Sequence, residues 1–307
     1  MARTNTTNGT QLGLETLEGR DVPATVLIMD FTPDYHQGSF MDTFYRTRYS
    51  DGSIPGFFDF NRDRVVDYRD VSLAASQVTG RVTDFFRPFA NNPANHLSIG
   101  YNDVFSNTNY GYNWLRAGVN STDLVQVMYF GGSNSGGVGI AGRSPEAHDG
   151  ENVEGYGETY THSIAQLLMF NRYATSTDFV NRVAAAAAHE FGHMLGLRHS
   201  TSGNPTSVMN PVMAQNAAAL RFIAGNQNTE NGYLQNEYTE LDRSFQWNQR
   251  QAHPSNPYLG GQYMHQSTPT AQFNPALDDC DGLVIGGPAV DAQLPPEAAP
   301  TTKAAPR

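Results

Sequence analysis

The feature that most constrains this fold is an alanine-rich helix in the second half of the chain, predicted from Asp178 to Leu197. Five consecutive alanines, Ala184 to Ala188, have the highest intrinsic helix propensity of any residue type. A His-Glu-x-x-His sequence follows, in which His189 and His193 stand four residues apart. Residues at this spacing project from one face of a helix. The two imidazoles are therefore predicted to bind one metal ion.

Further along the chain, a third histidine completes the predicted site. A helix can bring a ligand back from position 199 only if it bends away, and Gly196 has the permissive backbone for that bend. His199 then supplies the third nitrogen. Three protein ligands leave the fourth tetrahedral position of zinc open to water, as in catalytic rather than structural sites. Glu190 reaches the edge of the site without being a ligand and is the predicted general base.

Residues 189–200, HEFGHMLGLRHS, resemble the metzincin metallopeptidases and, within them, are similar to the matrixins. Metzincins place a methionine-containing turn beneath the metal, and Met209 stands ten residues past His199, with Pro211 two residues later as in matrixins. The resemblance implies an α+β, metzincin-type catalytic domain over residues 25–253. Its expected parts are a mixed five-stranded twisted sheet, an active-site helix carrying the zinc motif and a C-terminal helix.

The same resemblance implies a zinc-dependent endopeptidase, in which a zinc-activated water attacks the peptide bond and Glu190 acts as general base. Met209 would form an apolar floor beneath the ligands. Protein or peptide substrates would lie extended along the edge strand ahead of the zinc helix. The residues of that strand are Gly137, Val138, Gly139, Ile140 and Ala141. Residues after Met209, including Asn210 and Val212, would form a wall of the substrate pocket.

Three features depart from the matrixin pattern. The chain has no PRCGxxD segment, and its single cysteine, Cys280, lies far downstream of the zinc motif, so cysteine-switch latency is not available. Asn210 replaces the tyrosine common in the matrixin turn. For a structural zinc, the nearest candidate ligands are His148, Asp149 and His162, which we interpret as ordinary surface residues.

Residues 59–70 resemble the calcium loop of a single EF-hand or dockerin, in which oxygen ligands alternate as a hard cation requires. Positions 1, 3, 5, 9 and 12 hold Asp59, Asn61, Asp63, Asp67 and Asp70, and Val65 offers its carbonyl at position 7. Arg64 replaces the usual glycine at position 6, where the backbone needs a positive φ. The sequence predicts structural calcium, with a solvated acidic entry to the next helix as the alternative.

Hydrophobic patterns predict a strand, a helix, four more strands, the zinc helix and a short final helix. The predicted strands are Ala24 to Phe31, His96 to Tyr101, Leu124 to Phe130, Gly137 to Gly142 and Ser163 to Phe170. The other two helices are predicted from Val71 to about Phe89 and from Asn236 to Arg250.

Charge and the terminal segments bear on partners and location. The chain has 30 acidic and 19 basic residues and a net charge of -11, which argues against nucleic acid as a partner. No run of about 18 apolar residues exists to span a membrane. Residues 1–24 resemble the LExLExRxVPA leader of exported bacterial proteins and favour secretion, whereas the Pro/Ala-rich residues 254–307 are predicted to be a disordered tail. A monomer is expected.

Two other functions remain open at this point. One is a non-catalytic exported protein, a matrix or interaction protein that keeps zinc and calcium for stability. Glu190 speaks against it, because a purely structural site needs no base. The other is a metal-dependent hydrolase with a non-peptide substrate, which the motif and its methionine turn disfavour.

Overall fold

A computed structural model describes residues 24–31, 38–102, 123–132, 142–144, 155–201, 204–213, 216–248 and 284–285. Within them, a mostly parallel sheet has five strands in the order β2-β1-β3-β5-β4. The strands are β1 (Thr25–Asp30), β2 (Leu97–Asn102), β3 (Leu124–Gly131), β4 (Gly142–Arg143) and β5 (Gly155–Tyr160). Only β4, at one edge, runs antiparallel to its neighbour, β5. The fold is a mixed α/β arrangement with a mostly parallel sheet.

The central strands are covered on both faces. Every residue of β1 is buried, as are all but one of β3, so both strands are almost continuous apolar runs. Such runs are typical of parallel strands with helices on either side. The helices are α1 (Phe40–Arg46), α2 (Tyr68–Ala90), α3 (Thr161–Met169), α4 (Ser176–Met194) and α5 (Glu237–Asn248). Helix α4 packs against α2 and against the sheet.

One sequence prediction was wrong: Ser163 to Phe170 is not a strand but most of helix α3. The buried residues Thr161, Ile164, Ala165 and Leu168 recur at helical spacing, so one face of the segment meets the core. A short apolar run is ambiguous between the two structures, and the prediction chose the wrong one.

The strand at this place in the sheet is β5, directly ahead of α3, and the sequence prediction missed it. Gly155 and Gly157 interrupt it, so it lacks the apolar signature of a buried strand. Helix α1 was also not predicted. By contrast, β1, β2, β3, α2, α4 and α5 all agree with the sequence prediction to within a few residues at each end.

The remaining elements are two small sheets. Strands β6 (Val212–Met213) and β9 (Val284–Ile285) pair in parallel, and β7 (Gln227–Asn228) pairs with β8 (Leu234–Gln235) in a hairpin. Thus two residues of the predicted tail form a strand, while the rest of that tail and residues 1–23 of the leader lie outside the described residues. Among the helices of the described residues, none is long and apolar enough to cross a membrane.

Candidate metal centre

Helix α4 is fixed at its beginning by a cap and by aromatic packing. The Thr175 hydroxyl accepts a hydrogen bond from the Asp178 main-chain N–H at 3.2 Å, and the Asp178 carboxylate accepts one from the Thr175 N–H at 2.8 Å. This reciprocal pair is a capping box. Buried Phe179 then packs among the rings of Phe40, Phe44, Phe57, Phe58 and Phe60. The helix therefore reaches its metal-binding end from a rigid start.

The three predicted ligands meet at the other end of α4. The Nε2 atoms of His189 and His193 are 3.0 Å apart, and each lies 3.1 Å from Nε2 of His199. All three residues are buried. Among the described residues, they form the one group of three or more metal-binding side chains whose ligand atoms come together.

Each of these histidines has its other ring nitrogen engaged. Nδ1 of His189 lies 2.7 Å from the carbonyl oxygen of Val208, and Nδ1 of His193 lies 2.9 Å from that of Leu197. Nδ1 of His199 lies 3.2 Å from a carboxylate oxygen of Glu230. Carbonyl and carboxylate oxygens only accept hydrogen bonds, so every Nδ1 must carry the proton. The three Nε2 lone pairs then face one another.

This arrangement fits zinc. Nitrogen ligands at about 2.0–2.1 Å from a tetrahedral zinc lie roughly 3.3 Å from one another, close to the spacing found here. Burial, and then the neighbouring histidines His193 and His199, lower the pKa of His189 well below its ordinary value. Burial, and then His199, lower the pKa of His193 to about 3. His189 and His193 are therefore neutral at neutral pH, and the neutral imidazole is the form that binds metal.

The predicted bend lies at Gly196. Helix α4 ends at Met194, and Gly196 has φ of 87°, a conformation that residues with a Cβ rarely adopt. The N–H of Leu197 donates to the carbonyl of Gly192 at 2.8 Å, which closes the end of the helix. The chain then leaves the helix axis and returns with His199.

Beneath the histidines lies the turn that carries Met209, which is fully buried. Its Sδ would be 2.4 Å from a Cβ at position 192, so Gly192 is glycine because the methionine occupies that space. Gly192 lies inside the zinc motif, but its sequence position alone did not indicate this contact. The N–H of Ser200 donates to the Met209 carbonyl at 2.9 Å and ties this turn to the third ligand.

Glu237 supports the turn from below, and the sequence analysis missed it. Its carboxylate accepts from the Ser207 hydroxyl at 2.5 Å and from the Ile223 N–H at 2.6 Å. The Ser207 oxygen in turn accepts from the Met209 N–H at 3.0 Å. Burial raises the pKa of Glu237 to about 7, even though both hydrogen bonds act to lower it.

Glu190 is buried beside the first ligand and faces the edge of the sheet. A Cβ at position 142 would stand 2.7 Å from both Cγ and Oε1 of Glu190, so Gly142 leaves room for this side chain. The Ser144 hydroxyl lies 2.8 Å from its Oε2. From sequence, Gly142 was predicted only as the end of the substrate strand and Ser144 had no role, because their contacts with Glu190 depend on how β4 pairs with β5.

The hairpin formed by β7 and β8 is fastened to the loop that carries His199. The Thr201 N–H donates to the Asn228 carbonyl at 2.8 Å. The Gln235 amide accepts from the Arg198 N–H at 2.8 Å and donates to the Arg198 carbonyl at 3.0 Å. No sequence motif marked this hairpin, since its contacts join residues about thirty positions apart.

Other predicted residues fall in different places. The substrate-strand residues, Gly137 to Ala141, lie outside the described residues, as do His148 and Asp149. Pro211 follows the methionine turn and is half-buried. Both ring nitrogens of His162 are hydrogen-bonded, Nδ1 to the Thr47 hydroxyl and Nε2 to the Gln166 amide. Among the described residues, His162 does not belong to a group of side chains that could hold a metal ion together.

In the acidic loop at 59–70, side chains mostly accept hydrogen bonds from the loop's own backbone. Asp59 accepts from the Arg64 N–H at 2.9 Å, and Asp63 accepts from the Val65 N–H at 2.8 Å. Asp70 is fully buried and accepts three main-chain N–H groups, from Phe60, Asn61 and Asp67. The acidic groups are not among the side chains whose ligand atoms come together.

Comparison with known proteins agrees with the metal site. A family model described as Matrixin matches residues 138–225, which include the three histidines and Met209. None of the curated proteins compared with the chain matches it.

Two solved structures are similar at low sequence identity. A zinc-dependent peptidase from Methanocorpusculum labreanum is 12% identical, with 64% of this chain and 93% of that one covered and a TM-score of 0.32. Archaemetzincin from Methanopyrus kandleri is 14% identical, with 76% and 100% covered and a TM-score of 0.32. The family match and the converging histidines support a zinc-dependent peptidase.

Proposed function

We propose that this protein is a secreted, matrixin-like endopeptidase. One observation carries the proposal: the Nε2 atoms of three buried histidines come together, and Glu190 directly follows the first of these histidines in sequence. The matrixin match over residues 138–225 supports the same assignment. Secretion rests on the resemblance of residues 1–24 to a bacterial export leader.

In this proposal, His189, His193 and His199 hold zinc, which supplies Lewis acidity to a water and to the substrate carbonyl. Glu190 accepts the proton of the attacking water and returns a proton to the leaving amine. Met209 makes no bond to the reacting atoms and keeps the floor of the site apolar. Burial of all three histidines excludes bulk water from the ligand side of the site.

The substrate would extend along the edge of the sheet beside β4. Support for this comes from the topology, because β4 is the outermost strand next to β5 within the described residues. The outer edge of a sheet can pair through its main-chain groups with an extended peptide. Residues 137–141, which precede β4 in sequence, are the proposed contact strand.

The test is cleavage of a denatured protein by the purified chain, with and without a zinc chelator. Wild type should cleave and the chelated form should not. Glu190→Ala should keep its zinc and lose nearly all turnover, because the base is absent. Glu240→Ala, a change in α5 away from the histidines, is the matched control and should retain full activity. Substantial turnover by the Glu190 variant would overturn its role, and zinc binding without any cleavage would favour the non-catalytic alternative.

We also propose that residues 59–70 bind structural calcium. Arg64 has φ of 69°, so position 6 adopts the positive φ that an EF-hand loop requires there. Oδ1 of Asp59 is buried without a hydrogen-bond partner among the described residues. One observation favours the alternative: the carboxylate of Asp70 already accepts hydrogen bonds from three main-chain N–H groups. Calorimetric titration with millimolar calcium should show uptake by wild type and none by Asp59→Ala, and no uptake by wild type would end the proposal.

A further inference from the structure

The three histidines differ in what anchors their Nδ1 atoms. His189 and His193 face main-chain carbonyls, whereas His199 faces a side chain, the carboxylate of Glu230, 31 residues further along the chain. His199 is also the ligand that comes from a loop rather than from α4. It therefore needs an anchor that the helix cannot supply.

We infer that Glu230 is a positioning residue that holds His199 for zinc, an inference that rests on the zinc site of the proposed function. An imidazole that binds metal through Nε2 carries its proton on Nδ1, and a carboxylate at 3.2 Å accepts that proton in a hydrogen bond. The bond fixes the tautomer and the ring orientation, and it makes the imidazole a stronger ligand.

The backbone places Glu230 for this task. Its N–H donates to the His199 carbonyl at 3.2 Å, so the two residues are joined through main chain and side chain at once. The neighbouring residues Ser200 and Thr229 form an isolated antiparallel bridge. Gln235, at the far side of the hairpin, bonds both main-chain groups of Arg198. The hairpin is thus hydrogen-bonded to the loop on both sides of His199, at Arg198 and at Thr201.

Exposure to solvent limits how much the Glu230 carboxylate strengthens zinc binding by His199. The Glu230 side chain is 49% exposed, whereas that of His199 is 8% exposed. Removal of a hydrogen-bond partner behind a metal ligand typically weakens metal binding by about 10- to 100-fold. Because water screens an exposed carboxylate, the expected loss lies near the lower end, about tenfold.

The experiment measures zinc affinity of the full chain by competition with a chromophoric chelator. Glu230→Ala should weaken zinc binding about tenfold, and Glu230→Gln, which keeps an acceptor but loses the charge, should weaken it less. Glu240→Ala, which removes a carboxylate paired with Arg243 in α5, should match wild type within about twofold. Thermal unfolding of the zinc-free forms should not distinguish the variants from wild type.

Two results would overturn the inference. One is zinc affinity of Glu230→Ala within about twofold of wild type, well short of the expected weakening. The other is a zinc-free Glu230→Ala that unfolds at a clearly lower temperature than wild type, because the carboxylate then braces the hairpin rather than the ligand. Peptide cleavage is not measured in this experiment. If wild type binds zinc but cleaves no peptide, the proposed function is contradicted and the inference about Glu230 is not.

Discussion

Ser144 and Glu190 are joined across the gap between the edge strand and the zinc helix. The Ser144 hydroxyl oxygen lies 2.8 Å from Oε2 of Glu190 and 3.0 Å from its main-chain oxygen. Both residues are buried. The single hydroxyl proton of Ser144 is thus shared between the side chain and the main-chain oxygen of the proposed base, and it links Glu190 to the residue that follows β4.

Replacement of this serine tests whether the contact positions the base. A hydrogen bond to a charged group contributes about 1.5–3 kcal/mol, and Ser144→Ala should lower kcat by about tenfold or more. KM and zinc content should change less than kcat, because the hydroxyl contacts Glu190, the proposed base, and none of the three histidines. Steady-state kinetics with a peptide substrate measures the split, with Ser53→Ala in an exposed turn as control. Unchanged kcat would show that Glu190 keeps its position without this bond.

Gly192→Ala tests the contact between the zinc helix and the methionine turn. The added Cβ would meet Met209 Sδ at 2.4 Å in a fully buried place, and such overpacking typically costs about 1–3 kcal/mol, of which the higher helix propensity of alanine offsets about 0.5–1 kcal/mol. Denaturant unfolding should show that loss. Gly80→Ala, in α2 with open space around it, is the matched control and should stabilise by about 0.5–1 kcal/mol.

A second variant separates the Met209 clash from a general helix effect. If the clash is the cause, Gly192→Ala should cost less when Met209 is also replaced by alanine, because the two residues are in contact. Strict additivity of the two losses would contradict this explanation.

Gly196→Ala tests the bend between the second and third ligands. With φ of 87°, alanine there is strained by about 1–2 kcal/mol, and relief of that strain moves His199. Gly52→Ala, with φ of 84° and no neighbour within 4 Å, carries the same backbone penalty far from the site. We expect similar losses of stability from the two variants but weaker zinc binding only from the first, by chelator competition. Equal zinc affinities would show that the loop tolerates the change.

Glu237→Gln tests the buried carboxyl beneath the methionine turn. Its pKa is 4.5 in the unfolded chain and about 7 in the folded one, so folding favours the protonated form. The protonated carboxyl contributes fully to the free energy of unfolding below pH 4.5. This contribution, about 3 kcal/mol in total, is lost as pH rises towards 7. Glutamine stays neutral at every pH. The stability of the zinc-free variant relative to wild type should therefore rise between pH 4.5 and 7 and stay constant above pH 7. A difference that does not vary with pH would contradict this assignment.

The sequence predicted which three histidines come together because one helix and one glycine bend determine their geometry. His189 and His193 need only helical periodicity, and Gly196 needs only a backbone without a Cβ. Predictions failed where contacts with distant parts of the chain determine whether a segment forms a helix or a strand. A helix and a strand both suit the apolar residues 163–170, and in the structure β5 takes the place in the sheet while these residues form α3.

The supporting residues were missed for a related reason. Ser144, Glu230 and Glu237 act through contacts with residues 30 to 46 positions away, and nothing in their local sequence marks them. Their partners become visible only when the sheet register and the hairpin are known. Gly192 differs, since its place inside the motif was a signal, but the volume of Met209 explains it only in three dimensions.

The grip of the hairpin on the loop of His199 also bears on the order of assembly. Two ligands belong to one helix, whereas the third is held by residues 228–235, which are synthesised later. Contacts between distant parts of a chain form late in folding, because the intervening loop must close first. A nascent chain would therefore present two imidazoles before it presents three, and complete metal capture would be among the last events of its maturation.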